Sequence, residues 1–210
     1  MIDAIVFLGI QGSGKGTQAE LLAAHIRYQH INIGDLLREQ ISRKTELGKK
    51  VNSTILRGDL VPDDLVFELI RTSLDQDCPG VIFDGFPRNL AQAEYLSKHY
   101  RLVRVYYLDL KEEDAIKRIQ GRRLCPKCGA NYHLLSHPPQ KPGICDNCGA
   151  TLITRADDSP QAIEQRVKAF FAETFALKSF FESKGLLKSL PAEKSITQIH
   201  NLVLKDIHKD

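Results

Sequence analysis

A glycine-rich segment near the start of the chain has the residue types and the spacing of a phosphate-binding loop. It reads GIQGSGKGT from Gly9 to Thr17, and it lies between an apolar run and a helical pattern. The glycines let backbone N–H groups converge on phosphate oxygens at a helix N-terminus, and Lys15 adds a positive charge for the terminal phosphates. A simple glycine-rich turn would leave the lysine unexplained. The segment therefore predicts binding of a nucleotide through its phosphates.

The loop departs from the usual pattern directly after its lysine. Gly16 stands where most phosphate-binding loops have Ser or Thr, and the hydroxyl of Thr17 comes one place later. The pattern therefore does not decide whether a hydroxyl binds Mg²⁺ directly. Asp84 ends an apolar run that should lie beside the loop in a parallel sheet, so we predict that its carboxylate holds Mg²⁺ through water molecules. Capping of the strand end is the alternative role for Asp84.

Four cysteines form two C-x-x-C pairs with the spacing of a closed zinc site. They are Cys125, Cys128, Cys145 and Cys148, with 16 residues between the pairs. Four thiolates complete a tetrahedral site without an open position, which predicts a structural zinc ion. Since a lobe of about 35 residues buries little apolar surface, the metal would supply its stability. We interpret His133 and His137 as non-ligands, and Cys78 as a small buried or half-buried apolar residue.

The charge balance argues against a nucleic-acid or membrane partner. The 210 residues include 29 basic and 26 acidic ones, for a formal net charge of +3, which is too even to predict either partner. The stretch between the cysteine pairs offers one tyrosine and one lysine, which argues against the alternative of a nucleic-acid-binding zinc ribbon. The apolar runs are too short to span a membrane, and the first residues lack the basic start of a secretory signal. We expect a cytoplasmic protein.

Strand and helix patterns alternate along the chain and predict an α/β fold. Apolar runs without polar alternation, typical of buried parallel strands, start at Ile5, Val81 and Val103. Apolar residues at helical spacing lie between these runs. We therefore expect a parallel sheet covered by helices on both faces.

The C-terminal part of the pattern predicts a long helix, a short strand and a final helix. Ser159 and Pro160 should start the long helix, which should end near Gly185. The strand should lie around LLKSL, and the last helix should begin at about Lys194. The segment 122–158 is rich in Pro, Gly and Cys and lacks periodicity, so it is interpreted as an inserted lobe.

Five motifs follow one another along nearly the whole chain. In order they are GIQGSGKGTQ from Gly9, GDLLR from Gly34, DGFPR from Asp84 with Gln92 behind it, GRR from Gly121, and TRADD from Thr154 with Arg166 behind it. Together they resemble the adenylate kinase family, in the form whose lid carries a four-cysteine zinc site. The resemblance implies reversible, Mg-dependent transfer of the terminal phosphoryl group of ATP to AMP, giving two ADP, in adenine nucleotide homeostasis.

The resemblance also implies a P-loop three-layer fold with three parts. The core, residues 1–31, 62–121 and 159–210, would hold a five-stranded parallel sheet with helices on both faces. A small helical lobe, residues 32–61, would grip the nucleoside monophosphate, and a zinc-ribbon-like lid, residues 122–158, would close over ATP. Because both lobes must swing freely, we expect a monomer that acts on small-molecule nucleotides.

Position by position, the resemblance implies two sets of site residues. The ATP side is Gly12, Ser13, Gly14, Lys15, Gly16, Thr17, Arg118, Arg122, Asn131, Tyr132 and Lys194. The AMP side is Ile33, Arg38, Asp59, Leu60, Val61, Gly85, Phe86, Pro87, Arg88, Gln92, Arg155 and Arg166. The catalytic groups are Lys15, Arg88, Arg122, Arg155 and Arg166. This agrees with the chemistry, since phosphoryl transfer depends on alignment and positive charge, and arginine binds phosphate bidentately. For any single arginine, a solvated surface charge is the alternative.

Two departures from the family pattern bear on the nucleotide bases. Ile33 replaces the hydroxyl expected near the monophosphate base, so a nucleoside monophosphate kinase with another base choice is the alternative function. Gln92 stands where related pyrimidine kinases tend to have Asn, which favours adenine. The tail SLPAEKS lacks the usual Asp-Gly, and Lys194 falls roughly where a backbone carbonyl would meet the adenine of ATP.

Overall fold

The computed structural model describes residues 1–207, in which a parallel sheet lies between two layers of helices. The strands are β1 (Asp3–Leu8), β2 (Gln29–Asn32), β3 (Gly80–Asp84), β4 (Arg101–Asp109), β5 (Arg122–Leu124), β6 (Asn131–His133) and β7 (Leu187–Pro191). The helices are α1 (Lys15–Ile26), α2 (Ile33–Ser42), α3 (Glu46–Arg57), α4 (Asp63–Ser73), α5 (Leu90–His99), α6 (Glu112–Gln120), α7 (Pro160–Ala169), α8 (Leu177–Glu182) and α9 (Ile196–Ile207). Within the described residues the sheet has five parallel strands in the order β2-β3-β1-β4-β7. The predicted α/β class and sheet are confirmed; residues 208–210 of the predicted core segment lie outside the described residues.

Both faces of the sheet are apolar, because successive side chains of a strand point to opposite faces and helices cover each one. Val6 and Phe83 pack in a cluster with side chains of α4, α5 and α8. Ile5, Phe7 and Ile82 pack in a second cluster with α1 and α9. This two-sided burial explains why the strands read as apolar runs without polar alternation.

The carboxyl ends of three neighbouring strands meet at one edge of the sheet. Phe7 of β1 pairs with Asp84 of β3, and Asp84 pairs with Asn32 of β2. The glycine-rich loop follows β1, and α1 begins at Lys15. This edge, at which parallel α/β sheets bind their ligands, therefore collects the loop and the predicted Asp84.

Two elements differ from the sequence patterns. The apolar patterns do not predict β2, because only one of its four residues is buried. The predicted helix from Pro160 is interrupted: α7 passes into a π-helical turn at Phe170–Thr174 before α8. Its start is as predicted, since the Ser159 hydroxyl oxygen accepts a hydrogen bond from the Ala162 N–H at 3.2 Å.

Two inserted segments flank the carboxyl edge of the sheet. Residues 32–61 carry α2 and α3, which approach so closely that a Cβ at Gly48 would lie 2.1 Å from the Gln40 carbonyl oxygen. Residues 122–158 carry the antiparallel pair β5–β6 and a small apolar cluster of their own. Across the described part of the chain, no helix combines the length and apolar character needed to cross a membrane.

Candidate functional site

The loop between β1 and α1 presents backbone donors at the start of a helix. Gly12 and Gly14 have φ values of 85° and 92°, a left-handed conformation that glycine adopts without steric cost. A Cβ at Gly12 would also lie 2.6 Å from the Ala115 carbonyl oxygen. Among residues 1–207, no side chain caps the first turn of α1, so its N–H groups are available to an anion. The loop thus has the geometry that a phosphate site requires.

Lys15, the first residue of α1, is half-buried beside this loop. Its Nζ donates a hydrogen bond to the Ile10 carbonyl oxygen at 3.3 Å. Burial lowers the pKa of Lys15 to about 8; the Asp84 carboxylate opposes this shift, and three nearby arginines add to it. A buried ammonium group among other cations gains strongly from an anionic ligand.

Gly16 has a steric reason to be glycine. A Cβ at this position would lie 2.9 Å from Asp84 Oδ2. Asp84 is 4% exposed, and its Oδ2 accepts a hydrogen bond from Asn32 Nδ2 at 2.6 Å. The carboxylate therefore occupies the space that the usual Ser or Thr of a phosphate loop would need.

Five arginines, which we call the arginine cluster, converge from separate elements, and three of them act on Lys15. They are Arg38 in α2, Arg88 after β3, Arg122 in β5, Arg155 in the 122–158 segment and Arg166 in α7. Burial lowers the pKa of Arg88, and neighbouring arginines reinforce the shift. Burial, followed by the charges of Arg38 and Arg122, lowers the pKa of Arg155 to about 10. The cluster is therefore a concentrated positive field poised for polyanions.

Two adjacent carboxylates hold this cluster together. Asp158, whose side chain is 1% exposed, accepts hydrogen bonds from Arg122 Nε at 3.0 Å, Arg122 Nη2 at 2.6 Å and Arg166 Nη2 at 2.7 Å. Burial on its own would raise the pKa of Asp158, but the two guanidinium groups hold it below its usual value. Asp157 Oδ2 lies 3.3 Å from Arg38 Nη1 and 3.5 Å from Arg166 Nη1.

Ion pairs across the cluster join the two inserted segments. Arg38, from residues 32–61, pairs with Asp157 of the 122–158 segment at 3.3 Å. Arg155 Nη2 lies 3.6 Å from Asp35 Oδ1 and donates to Asn131 Oδ1 at 3.0 Å. The two segments are therefore closed over the arginine cluster in this structure.

A cavity lies beside the cluster, between α2, α3 and the loop after β3. The space between these elements is about 610 Å³, a volume that includes part of the solvent outside. Its lining includes predicted AMP-side residues: Ile33, Arg38, Asp59, Leu60, Val61, Gly85, Arg88, Gln92 and Arg166. Phe86 and Pro87 are buried, and the Phe86 ring packs on Phe83 with centroids 5.5 Å apart. These side chains pack in the interior, and their contact with AMP stays a prediction.

The remaining ATP-side predictions lie around the start of α1 and the end of α6. Lys194 is exposed, in the turn after β7. Gln18 Nε2 of α1 donates to the Ile196 carbonyl oxygen at 3.0 Å, which places this turn beside the phosphate loop. Arg118 is half-buried near the end of α6.

The four predicted metal ligands gather at one point. All four Sγ atoms lie within 4.8 Å of one another, and two pairs, Cys125–Cys148 and Cys128–Cys145, are 3.4 and 3.5 Å apart. These distances exceed a disulfide bond of about 2 Å. They are near the roughly 3.8 Å that separates thiolates around a tetrahedral zinc ion with Zn–S bonds of about 2.3 Å. The group fits a four-coordinate metal.

Tyr132 packs inside the same segment and supports the cysteine group. Its hydroxyl lies 3.5 Å from Cys145 Sγ and accepts a hydrogen bond from the Asp146 N–H at 2.8 Å, and its ring stacks on His137. The side chain of Tyr132 therefore packs in the interior of this segment, and its ATP-side role stays a prediction. Within the described residues, His133 and His137 stand outside the metal-binding group, as predicted.

Sequence reasoning missed several polar residues that order the site. They are Asn32, Asp35, Asp63, Asp157 and Asp158, each bonded to a predicted site residue. Asp157 and Asp158 stand in the TRADD motif, close to Arg155. This position was the only indication in the sequence that they belong to the site. Asn32 and Asp63 have partners 52 and 29 residues away along the chain, which no spacing rule connects.

Comparison with known proteins gives one family. The adenylate kinase family model matches residues 7–186. An adenylate kinase of Caldicellulosiruptor saccharolyticus is 40% identical over 208 residues, covering 96% of this chain and 97% of the relative. An adenylate kinase of Anaeromyxobacter sp. is 42% identical over 193 residues, with 89% and 90% covered. One of Methanocella arvoryzae is 39% identical over 201 residues, with 92% and 93% covered.

Proposed function

The chain belongs to the adenylate kinase family, and on that premise we propose which of its residues carry out its reaction. The reaction is the reversible transfer of the terminal phosphoryl group of ATP to AMP, giving two ADP. One observation carries the assignment of residues: the phosphate loop, the arginine cluster and the cavity meet at one edge of the sheet. Donor and acceptor nucleotides can therefore lie end to end there.

The phosphate loop takes the ATP phosphates. Backbone N–H groups from Gly12 to Thr17 point to the phosphate oxygens, and Lys15 lies against the transferring group. Arg118 and Arg122 bind the adenine and the phosphates of ATP, and the turn at Lys194 lies at the base. Asn131 and Tyr132 complete the ATP side, Tyr132 through its backbone. Asp84, held by Asn32 at 2.6 Å, would hold hydrated Mg²⁺, which neutralises phosphate charge.

The cavity takes AMP. Arg38 and Arg88 bind its phosphate, Gln92 contacts the base, and the apolar Ile33 and Val61 pack against it. The guanidinium groups suit this role because their planar forks bind phosphate bidentately and stay charged.

Transfer depends on alignment and on charge. The acceptor oxygen of AMP is already ionised at neutral pH, so no side chain has to remove a proton. This oxygen bonds to the terminal phosphorus of ATP as the bond to the β-phosphate oxygen breaks, and ADP leaves with that electron pair. Arg155 and Arg166 spread positive charge over the transferring group, and the closed lobes keep water from replacing AMP.

We further propose that residues 32–61 and 122–158 move as lobes on a core formed by 1–31, 62–121 and 159–210. The cysteine group would hold zinc as a structural ion, because four thiolates fill a tetrahedral shell and leave no place for a reactant. Lobes that must move freely fit a monomer, and phosphoryl transfer between small nucleotides fits a cytoplasmic enzyme. Metal analysis of the purified protein tests the zinc assignment, and iron or no metal would contradict it. Sedimentation tests whether the protein is a monomer.

A coupled assay with ATP and AMP, GMP, CMP or UMP tests the function, and AMP should give the highest kcat/KM. Replacing Arg88 by Ala should lower kcat by about 100-fold or more, because a charge that stabilises the transition state is removed. Arg71, an exposed arginine on α4, provides the matched control, and its replacement by Ala should change neither constant. Higher activity with CMP or UMP, or an active Arg88→Ala variant, would refute the assignment.

A further inference from the structure

The amide of Gln92 has both of its polar atoms engaged by the protein. Gln92 is 2% exposed and lines the cavity. Its Oε1 accepts a hydrogen bond from the Arg88 N–H at 2.8 Å, and its Nε2 donates to Asp63 Oδ1 at 2.7 Å. If the amide turned by 180°, two donors would face each other at Arg88 and two acceptors at Asp63. The orientation of the amide is therefore set before any ligand arrives.

Asp63 is itself held in place. It is the first residue of α4, and its two carboxylate oxygens accept from Asn89 Nδ2 at 3.0 and 3.2 Å. Asn89 in turn caps α5, where its Oδ1 accepts from the Gln92 N–H at 2.9 Å. Asp63 lies behind Gln92, outside the residues that line the cavity, so it acts on a ligand only through that amide.

The fixed amide has one lone pair on Oε1 and one hydrogen on Nε2 left for a ligand. A 6-amino purine matches this pair, because its amino group donates and its N1 accepts. A 6-oxo purine has the reverse pattern, with an accepting oxygen and a donating N1–H. We propose that Asp63 is a positioning residue that sets the base preference of the monophosphate site, favouring 6-amino over 6-oxo purines by fixing the amide of Gln92. This inference rests on the proposed function, in which Gln92 contacts the base.

The test compares AMP with inosine monophosphate, which differ in their base only at this donor–acceptor edge. Asn in place of Asp63 keeps the size of the side chain but can both donate and accept, so only the Arg88 N–H then still favours one orientation of Gln92. The ratio of kcat/KM for AMP to that for inosine monophosphate should fall about 5- to 10-fold in Asp63→Asn, the difference between a charge-assisted and a neutral hydrogen bond. Most of this change should lie in KM, because the phosphate-binding groups are untouched.

Asp64→Asn is the matched control, because Asp64 is exposed in the same first turn of α4 and its loss removes the same charge from the helix start. The AMP-to-inosine-monophosphate ratio of kcat/KM in Asp64→Asn should equal that of the unaltered protein. Gln92→Leu supplies the second reference, since in this variant the same ratio should fall further than in Asp63→Asn.

Three outcomes would overturn the inference. If Asp63→Asn and Asp64→Asn have the same ratio while Gln92→Leu lowers it, Gln92 is the base reader and Asp63 does not set its preference. If Asp63→Asn lowers kcat/KM equally for both nucleotides, its role is structural. If Gln92→Leu leaves the ratio unchanged, the base site of the proposed function is wrong as well.

Discussion

Replacement of Asp158 by Asn tests whether the arginine cluster depends on its carboxylate when no nucleotide is bound. The change keeps the shape of the side chain but removes the negative charge between Arg122 and Arg166. Three hydrogen bonds of 2.6 to 3.0 Å end on this carboxylate. An amide offers one accepting oxygen, and its NH₂ group would face a guanidinium donor.

The burial of Asp158 decides the size of the effect. Its side chain is 1% exposed, and breaking a buried ion pair costs about 3–5 kcal/mol because a charge is left without a partner. Since the amide oxygen keeps one bond, we expect a loss near the lower end, about 3 kcal/mol. In a protein of this length that loss corresponds to a fall in Tm of about 6–12 °C.

Thermal unfolding should be followed by calorimetry, without ligand and with a dinucleotide inhibitor that spans both sites. The loss should be smaller with the inhibitor, because its phosphates supply the missing negative charge. Glu164→Gln on α7 is the control: its pair with Lys168 at 2.7 Å has both side chains 67% exposed, and exposed pairs contribute little.

The pH dependence has a definite sign. The folded-state pKa of Asp158 lies below its unfolded value, so the carboxylate stabilises the protein above the unfolded pKa of about 3.9 and stops doing so as the pH falls through the lower, folded value. The difference in Tm between the parent protein and Asp158→Asn should thus persist at pH 5–7 and shrink below about pH 4. A variant with the same Tm as the control at pH 7, or the same loss with and without inhibitor, would refute the reasoning.

Four further predictions follow from single contacts. The kcat/KM for MgATP should fall as the pH rises past about 8, because the free enzyme then loses the charge on Lys15; a flat profile to about pH 9.5 would contradict this. Thr174→Val removes the hydroxyl that donates to the Arg88 carbonyl oxygen at 2.7 Å, so unfolding in urea should show a loss of about 1–3 kcal/mol, together with lower kcat. Gly16→Ala places a Cβ 2.9 Å from Asp84 Oδ2 and should raise the Mg²⁺ concentration for half-maximal rate; an unchanged Mg²⁺ titration would count against Asp84 as the metal-holding group. Chelation of the metal proposed for the cysteine group should abolish activity while circular dichroism shows most helix retained, and full activity after metal loss would exclude a structural role.

The features that could be predicted from the sequence have local causes. The phosphate loop and the cysteine pairs are short motifs whose chemistry requires fixed spacing. The runs that form β1, β3 and β4 are apolar throughout because helices cover both faces of the sheet. Each of these signals lies within a few residues, so the structure had little freedom to depart from them.

The features that could not be predicted arise from contacts between distant segments. Nothing local distinguishes β2, with one buried residue of four, from a polar turn; its pairing with β3 decides its conformation. The resemblance likewise gave Tyr132 only a position on the ATP side, and the packing around Cys145 determines where its ring lies. The partners of Asp63 and Asp158 became identifiable only when the helices were placed.

The carboxylates near the phosphate-binding groups follow from the cost of burying cations. A closed site without nucleotides would leave several buried guanidinium groups without counterions, and such burial is strongly unfavourable. Asp157 and Asp158 offset part of this repulsion and let residues 122–158 close on residues 32–61. Burial, together with the charges of neighbouring arginines, still lowers the pKa of Lys15 and that of Arg155. Under the proposed function, the nucleotide phosphates would supply the remaining negative charge. The closed arrangement would then be most stable with both substrates bound, which is when water must be kept out.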